Sequence, residues 1–118
     1  MKIKTFIRQN SWINRAYMDC GYVMIPKGHY LHGRDDNSLN DLLNVHGGIT
    51  LAELASNLDW DEIQEENQGD WIIGFDTCHG GDTLEYWTKE RIQEELDNLV
   101  EQIYNLEKEI NNVKIHEE

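Results

Sequence analysis

The chain is poor in proline, cysteine, serine and positive charge, and each shortage excludes something. One proline in 118 residues leaves no polyproline segment and no proline-rich linker. The two cysteines, Cys20 and Cys78, form no CxxC pair. The lysines of residues 1–7 lead into no apolar stretch, so no secretory signal is expected and both thiols are read as reduced in a cytoplasm. The serines are Ser11, Ser38 and Ser56, and none sits in a Gly-x-Ser-x-Gly elbow, so a hydrolytic triad is not expected. No run of about 18 apolar residues is present, which predicts no membrane-spanning helix. Ten Lys and Arg stand against 23 Asp and Glu, a net charge of −13. That argues against duplex nucleic acid, which requires a broad basic face.

What is present is enough for one folded domain. The length suits a single unit over residues 1–118, and 39% of residues are apolar, with four tryptophans. The charge is uneven. Residues 1–50 hold six basic and four acidic side chains, whereas residues 51–118 hold four basic and nineteen acidic. An anion site is therefore expected to draw on the N-terminal half.

Periodicity predicts an α+β fold, with a small antiparallel sheet, glycine- and histidine-rich loops and one long C-terminal helix. Residues 2–7 read as a short strand. Residues 12–18 alternate, with Trp12, Asn14, Ala16 and Met18 on one face and Ile13, Arg15 and Tyr17 on the other. Asp19-Cys20-Gly21 reads as a turn, and Tyr22-Val23-Met24-Ile25 as a strand stopped by Pro26, making a hairpin. Residues 27–37 are a loop, and Ser38 is placed to cap a short helix over 39–43. His46-Gly47-Gly48 leads towards a strand. Residues 53–66 fit either a helical turn or an exposed connection. Trp71-Ile72-Ile73-Gly74-Phe75 is the clearest strand. Residues 1–87 thus form a sheet-and-loop core, and residues 88–118 a helical tail. In that tail Ile92, Leu96, Leu99, Ile103, Leu106, Ile110 and Val113 keep heptad spacing. Its first half is expected to cover the sheet. From Ile103 onward it is expected to join a homo-oligomer.

Four of the five histidines adjoin glycines: His29, His32, His46 and His79. Loops of this kind let a ligand approach the backbone closely. His29, His32, His46, Asp76, His79 and Asp82 supply donors enough for a Zn²⁺ or Mn²⁺ centre, but in no metal-site spacing; neither a metal nor a cofactor is expected. No phosphate-binding glycine motif occurs either. Lys27, His29, His32 and Arg34 do fall within eight residues, a local cation cluster able to hold phosphate. Tyr22, Tyr30, Trp71, Tyr86 and Trp87 are candidates to stack a base. These residues predict one small-anion site lined by Lys27, His29, His32, Arg34, His46, Trp71, Asp76, His79 and Tyr86, with Lys27 and Arg34 on phosphate and Asp76 orienting a histidine or accepting from a base or hydroxyl. No catalytic residue is expected.

Three segments carry a resemblance: residues 21–33 (Gly21-Tyr22-Val23-Met24-Ile25-Pro26-Lys27-Gly28-His29 through Gly33), residues 45–50 (Val45-His46-Gly47-Gly48-Ile49-Thr50) and residues 71–82 (Trp71 to Asp82). In this order they resemble small bacteriophage and prophage proteins carrying GYVxxPxGHxxxG, VHGGxT and WxIGFDxxHxGD motifs ahead of a C-terminal helix. The resemblance implies a phage accessory protein made in the bacterial cytoplasm. Size, implied origin and the composition of the loops suggest an anti-defence sponge that binds a cyclic nucleotide immune signal without cleaving it. The alternatives are a metal-dependent hydrolase, such as a phosphodiesterase, using the His/Asp loops, and an acidic inhibitor that docks on a host protein.

Overall fold

The structure, a computed structural model, describes residues 3–12 and 15–117. Four strands form one antiparallel sheet: β1 (Lys4–Trp12), β2 (Arg15–Ile25), β3 (Leu51–Leu54) and β4 (Trp71–Phe75), in the order β1-β2-β4-β3. Two helices complete it, α1 (Asp36–Leu42) and α2 (Lys89–Glu117). The expected α+β class with a long C-terminal helix is what the chain adopts. Among the described residues no helix is long and apolar enough to cross a membrane.

The first hairpin differs from the sequence expectation. β2 runs without interruption through Asp19, Cys20 and Gly21, and its partner is β1, with Arg8 opposite Cys20 and Ile7 opposite Gly21. Gly21 is a mid-strand glycine rather than a turn residue. A Cβ there would lie 2.6 Å from the Phe75 ring and 3.0 Å from Leu96, so its bare backbone is what admits both side chains. Of the alternating positions proposed for residues 12–18, Ile13 and Asn14 lie outside the described residues.

Strand alternation sorts the side chains into two cores. Val23, Ile25, Ile73 and Phe75 point to one face, where α2 and the segment carrying Leu31, Leu39, Leu43, Val45 and Ile49 cover them. Cys20, Tyr22, Met24 and Ile72 point to the other, under Ala55, Ile63 and Trp60. The ambiguous segment after β3 is therefore a cover for the second face. It contains two 3₁₀ turns, Ala55–Asn57 and Glu65–Asn67, and its two ends pair through Ala55 N–H to Asp70 C=O and Ser56 N–H to Gln68 C=O.

α1 begins one turn earlier than expected. Its cap is Asp35, which accepts from the Ser38 N–H at 2.8 Å. In α2, Ile92, Leu96, Leu99 and Ile103 are fully buried within the protomer. Each such side chain contributes about 1.5–3 kcal/mol. Leu99 and Ile103 are thus core residues, and the expectation that subunit contact begins at Ile103 is corrected: the sheet consumes the heptad stripe one turn further along. Leu106 and Ile110 remain half-buried. Side-chain contacts fasten the helix along its length, among them Gln102 to both backbone groups of Asn44 (2.8 and 2.7 Å) and the Tyr104 hydroxyl to the Ile3 N–H (3.1 Å).

Candidate functional site

The sheet register divides the expected site in two. Ile25 pairs with Trp71, and Gly21 with Phe75. The loop after β2, with Lys27, His29, His32 and Arg34, therefore lies beside the start of β4. The loop after β4, with Asp76 and His79, lies beyond its other end. β3 runs against β4 from Leu51 opposite Gly74, which brings the preceding His46 to that same far end. The four residue steps from Trp71 to Phe75 separate the two groups by about 13 Å. The two groups of loops lie at opposite ends of β4.

At the Trp71 end the residues chiefly hold the fold. The Leu31 N–H donates to His29 Nδ1 at 3.1 Å, so Nε2 carries the proton and donates to Glu107 Oε1 at 2.6 Å. This buried histidine anchors the distal part of α2. Tyr30 stacks on His29 with ring centroids 4.6 Å apart. Burial, then the Glu107 carboxylate, pushes the Tyr30 hydroxyl up to about 12, against the opposing effect of Arg34. His32 Nε2 donates to the Gly69 carbonyl at 2.8 Å, and the Lys27 stem lies across Gly69. Arg34 donates to the Tyr30 carbonyl and to Ser38, and Trp71 Nε1 donates to the Arg34 carbonyl. Of the cations expected on phosphate, Arg34 thus fastens the loop after β2, and Lys27 is exposed with its stem against Gly69.

The Phe75 end is built differently. Asp82 is the centre, although its side chain was not among the residues expected to line the ligand. Its oxygens lie 3.0 Å from His46 Nε2, and they accept from the His79 N–H at 2.9 Å and from Trp87 Nε1 at 3.1 Å. Burial of Asp82, with only 7% of its side chain exposed, raises its affinity for a proton. The hydrogen bonds from His46, His79 and Trp87, with the His46 charge, outweigh that and hold the carboxyl below the ordinary value of 3.8. An ionised carboxylate only accepts, so His46 donates through Nε2. A second pair lies alongside: His79 Nε2 is 3.2 Å from Asp76 Oδ1, which also accepts the Cys78 N–H. The ring of His79 is too misaligned for a hydrogen bond there, and its buried Nε2 has no hydrogen-bond partner among the described residues. The two imidazole centroids stand 5.6 Å apart. Gly47, at φ +68°, makes this possible, since any Cβ would overlap the His79 ring.

Beside these pairs is an open depression of about 460 Å³, lined by His46, Gly81, Asp82, Tyr86, Trp87 and Glu95. The His46 N–H donates to Glu95 Oε1 at 2.8 Å, tying the loop to the first turns of α2. Trp87 packs edgewise on Phe75 and against His46, at 4.4 Å between ring centroids. Tyr86 is 54% exposed, and the Arg91 guanidinium lies 4.3 Å from its ring centroid. Of the expected ligand residues, His46 and Tyr86 line this depression and Asp76 and His79 stand next to it. Lys27, His29, His32, Arg34 and Trp71 are at the opposite end of β4. Sequence reasoning missed Glu95, whose only signal was a helix position level with the glycine loops. Among the described residues no three His, Cys, Asp or Glu side chains come together as metal ligands. No protein-family model, curated protein or solved structure matches the chain, so its function has to be argued from this geometry.

Proposed function

We propose that this chain is a small binding module that captures a nucleotide-type ligand in the depression beside β4 and holds it without cleaving it. The observation that carries this reading is the pairing of a solvent-facing aromatic with a rigid polar wall. Tyr86 is 54% exposed and lines the depression, and stacking of a base on an aromatic ring is worth about 1–3 kcal/mol. The Arg91 guanidinium lies over the Tyr86 ring, a cation beside the depression with the planar donor set that suits a phosphate. Glu95, which lines the depression, offers an acceptor to an amino group or a ribose hydroxyl. This recasts the ligand contacts expected from sequence, moving phosphate from Lys27 and Arg34 to Arg91.

Capture without conversion is supported by how the carboxylates are occupied. Asp82 already accepts from three donors and fixes His46 and Trp87 rather than a reacting group. Such preorganisation lowers the cost of binding. In the biological setting that the sequence motifs suggest, a phage-infected bacterial cytoplasm, this module acts as a sponge for a cyclic nucleotide immune signal. A second copy docks along the distal half of α2, where Leu106 and Ile110 stay half-buried in the protomer.

Calorimetry against linear and cyclic adenine and guanine nucleotides tests this reading. One nucleotide should bind at about one per chain and be recovered with unchanged mass from heat-denatured protein. Tyr86→Ala, at an exposed position, should weaken it roughly 5- to 150-fold while leaving the melting temperature within about 2 °C. No heat from any nucleotide with folded protein would overturn the reading and favour the acidic, protein-docking alternative. A nucleotide recovered cleaved would overturn capture in favour of catalysis.

A further inference from the structure

A second trough lies along α2, and it has a chemistry of its own. Its volume is about 450 Å³ and its lining is Asn44, Glu95, Asn98, Glu101, Gln102 and Asn105. Glu95 belongs to both this trough and the aromatic depression, so the two meet at one carboxylate that the His46 N–H holds in place. The helical members Glu95, Asn98, Gln102 and Asn105 recur at spacings of three and four, one continuous stripe of the helix. It spans about 15 Å at 1.5 Å per residue. The facing wall is Asn44, and Gln102 locks it by bonding both of its backbone groups.

The lining has four carboxamides and two carboxylates, with no cation and no aromatic ring. Two negative charges repel phosphate. A carboxamide donates and accepts at once, as a hydroxyl group does, so Asn98 and Asn105 match a neutral, hydroxyl-rich group. We propose that the trough is a second compartment of the same site and takes a phosphate-free sugar ring, making the ligand a nucleotide extended by a pentose or hexose. This rests on the nucleotide reading of the aromatic depression: base on Tyr86, phosphates on the Arg91 rim, sugar hydroxyls between Glu95, Asn98 and Asn105.

The test compares ADP with ADP-ribose, which adds one sugar beyond the phosphates, by calorimetry on the full chain. ADP-ribose should bind at least about tenfold tighter, the effect of one or two neutral hydrogen bonds. Asn98→Leu together with Asn105→Leu, both at exposed helix positions, should abolish that preference and leave ADP binding unchanged. Equal affinity for the two ligands, or a preference that survives both substitutions, overturns the sugar compartment alone. Binding of neither ligand also overturns the sugar compartment, and the nucleotide reading on which it rests falls with it only if the linear and cyclic adenine and guanine nucleotides all fail to bind.

Discussion

Replacing Asp82 by Asn probes the centre of the Phe75 end with almost no change in shape. Three donors converge on two carboxylate oxygens: Trp87 Nε1 on Oδ1, the His79 N–H on Oδ2, and His46 Nε2 on both. An amide has one accepting oxygen, so in either orientation its NH₂ faces the Trp87 or the His79 donor. The variant loses one charge-assisted hydrogen bond, about 1.5–3 kcal/mol, and leaves a buried donor unpaired, about 1–3 kcal/mol. These costs overlap, and a net loss of about 2–4 kcal/mol corresponds to roughly 6–20 °C in melting temperature for a domain of this size. The pH dependence has a definite sign. The native carboxyl is held below its ordinary 3.8, so its contribution is fully present above that value and is lost as pH falls through the lower, native one. The gap in melting temperature between wild type and Asp82→Asn should therefore be constant near neutrality and close only in strong acid. Thermal melts by circular dichroism from pH 7 to pH 2 read this out. A gap below about 2 °C at pH 7, or one that widens on acidification, would refute the assignment of Asp82 as an ionised hub.

Other substitutions test the packing. Ile103→Asp should abolish folding as seen by far-UV circular dichroism, because an unpaired carboxylate in the protomer core costs a large part of the 5–15 kcal/mol typical of a domain; a folded, smaller particle would instead return Ile103 to a subunit interface. Leu106→Asp with Ile110→Asp should keep the fold and lower the particle mass by light scattering, and an unchanged mass would remove the distal helix as a docking face. Gly74→Ala should destabilise by about 1–3 kcal/mol or more in a denaturant titration, since a Cβ would overlap the Tyr22 ring and lie 2.9 Å from the Gly21 carbonyl oxygen; unchanged stability would contradict that close approach. Glu107→Ala frees the buried His29 ring of its carboxylate, and amide exchange should quicken across residues 104–112 while residues 92–103 stay protected.

Much of the fold was legible because its signals are local. Trp71–Phe75 is a five-residue β-rich run with matching bounds, and the helix of residues 88–113 was marked by its heptad stripe. The error at Gly21 came from a residue whose role is set by a neighbour distant in sequence. A glycine two residues after an aspartate reads as a turn, and only the Phe75 ring explains why it sits in the middle of a strand. Residues 55–70 were equally opaque, since they cover an apolar face without any periodicity of their own. The site was half legible. Glycine-flanked histidines and the His79-to-Asp82 loop pointed to the Phe75 end, where His46, His79 and Asp82 do come together. Composition also grouped them with Lys27 and Arg34, and nothing local could show that β2 and β4 run antiparallel and carry the two loops to opposite ends. Glu95 was hidden because its role depends on which face of α2 meets the loop of His46.

The central claim is where the ligand sits, and amide chemical-shift mapping during a nucleotide titration tests it most directly. Shifts should gather at residues 46–48, 79–82, 86–87 and 91–95, with those around Lys27, His32, Arg34 and Trp71 unmoved. Shifts concentrated at the Lys27–Trp71 end, or none at saturating nucleotide, would contradict it.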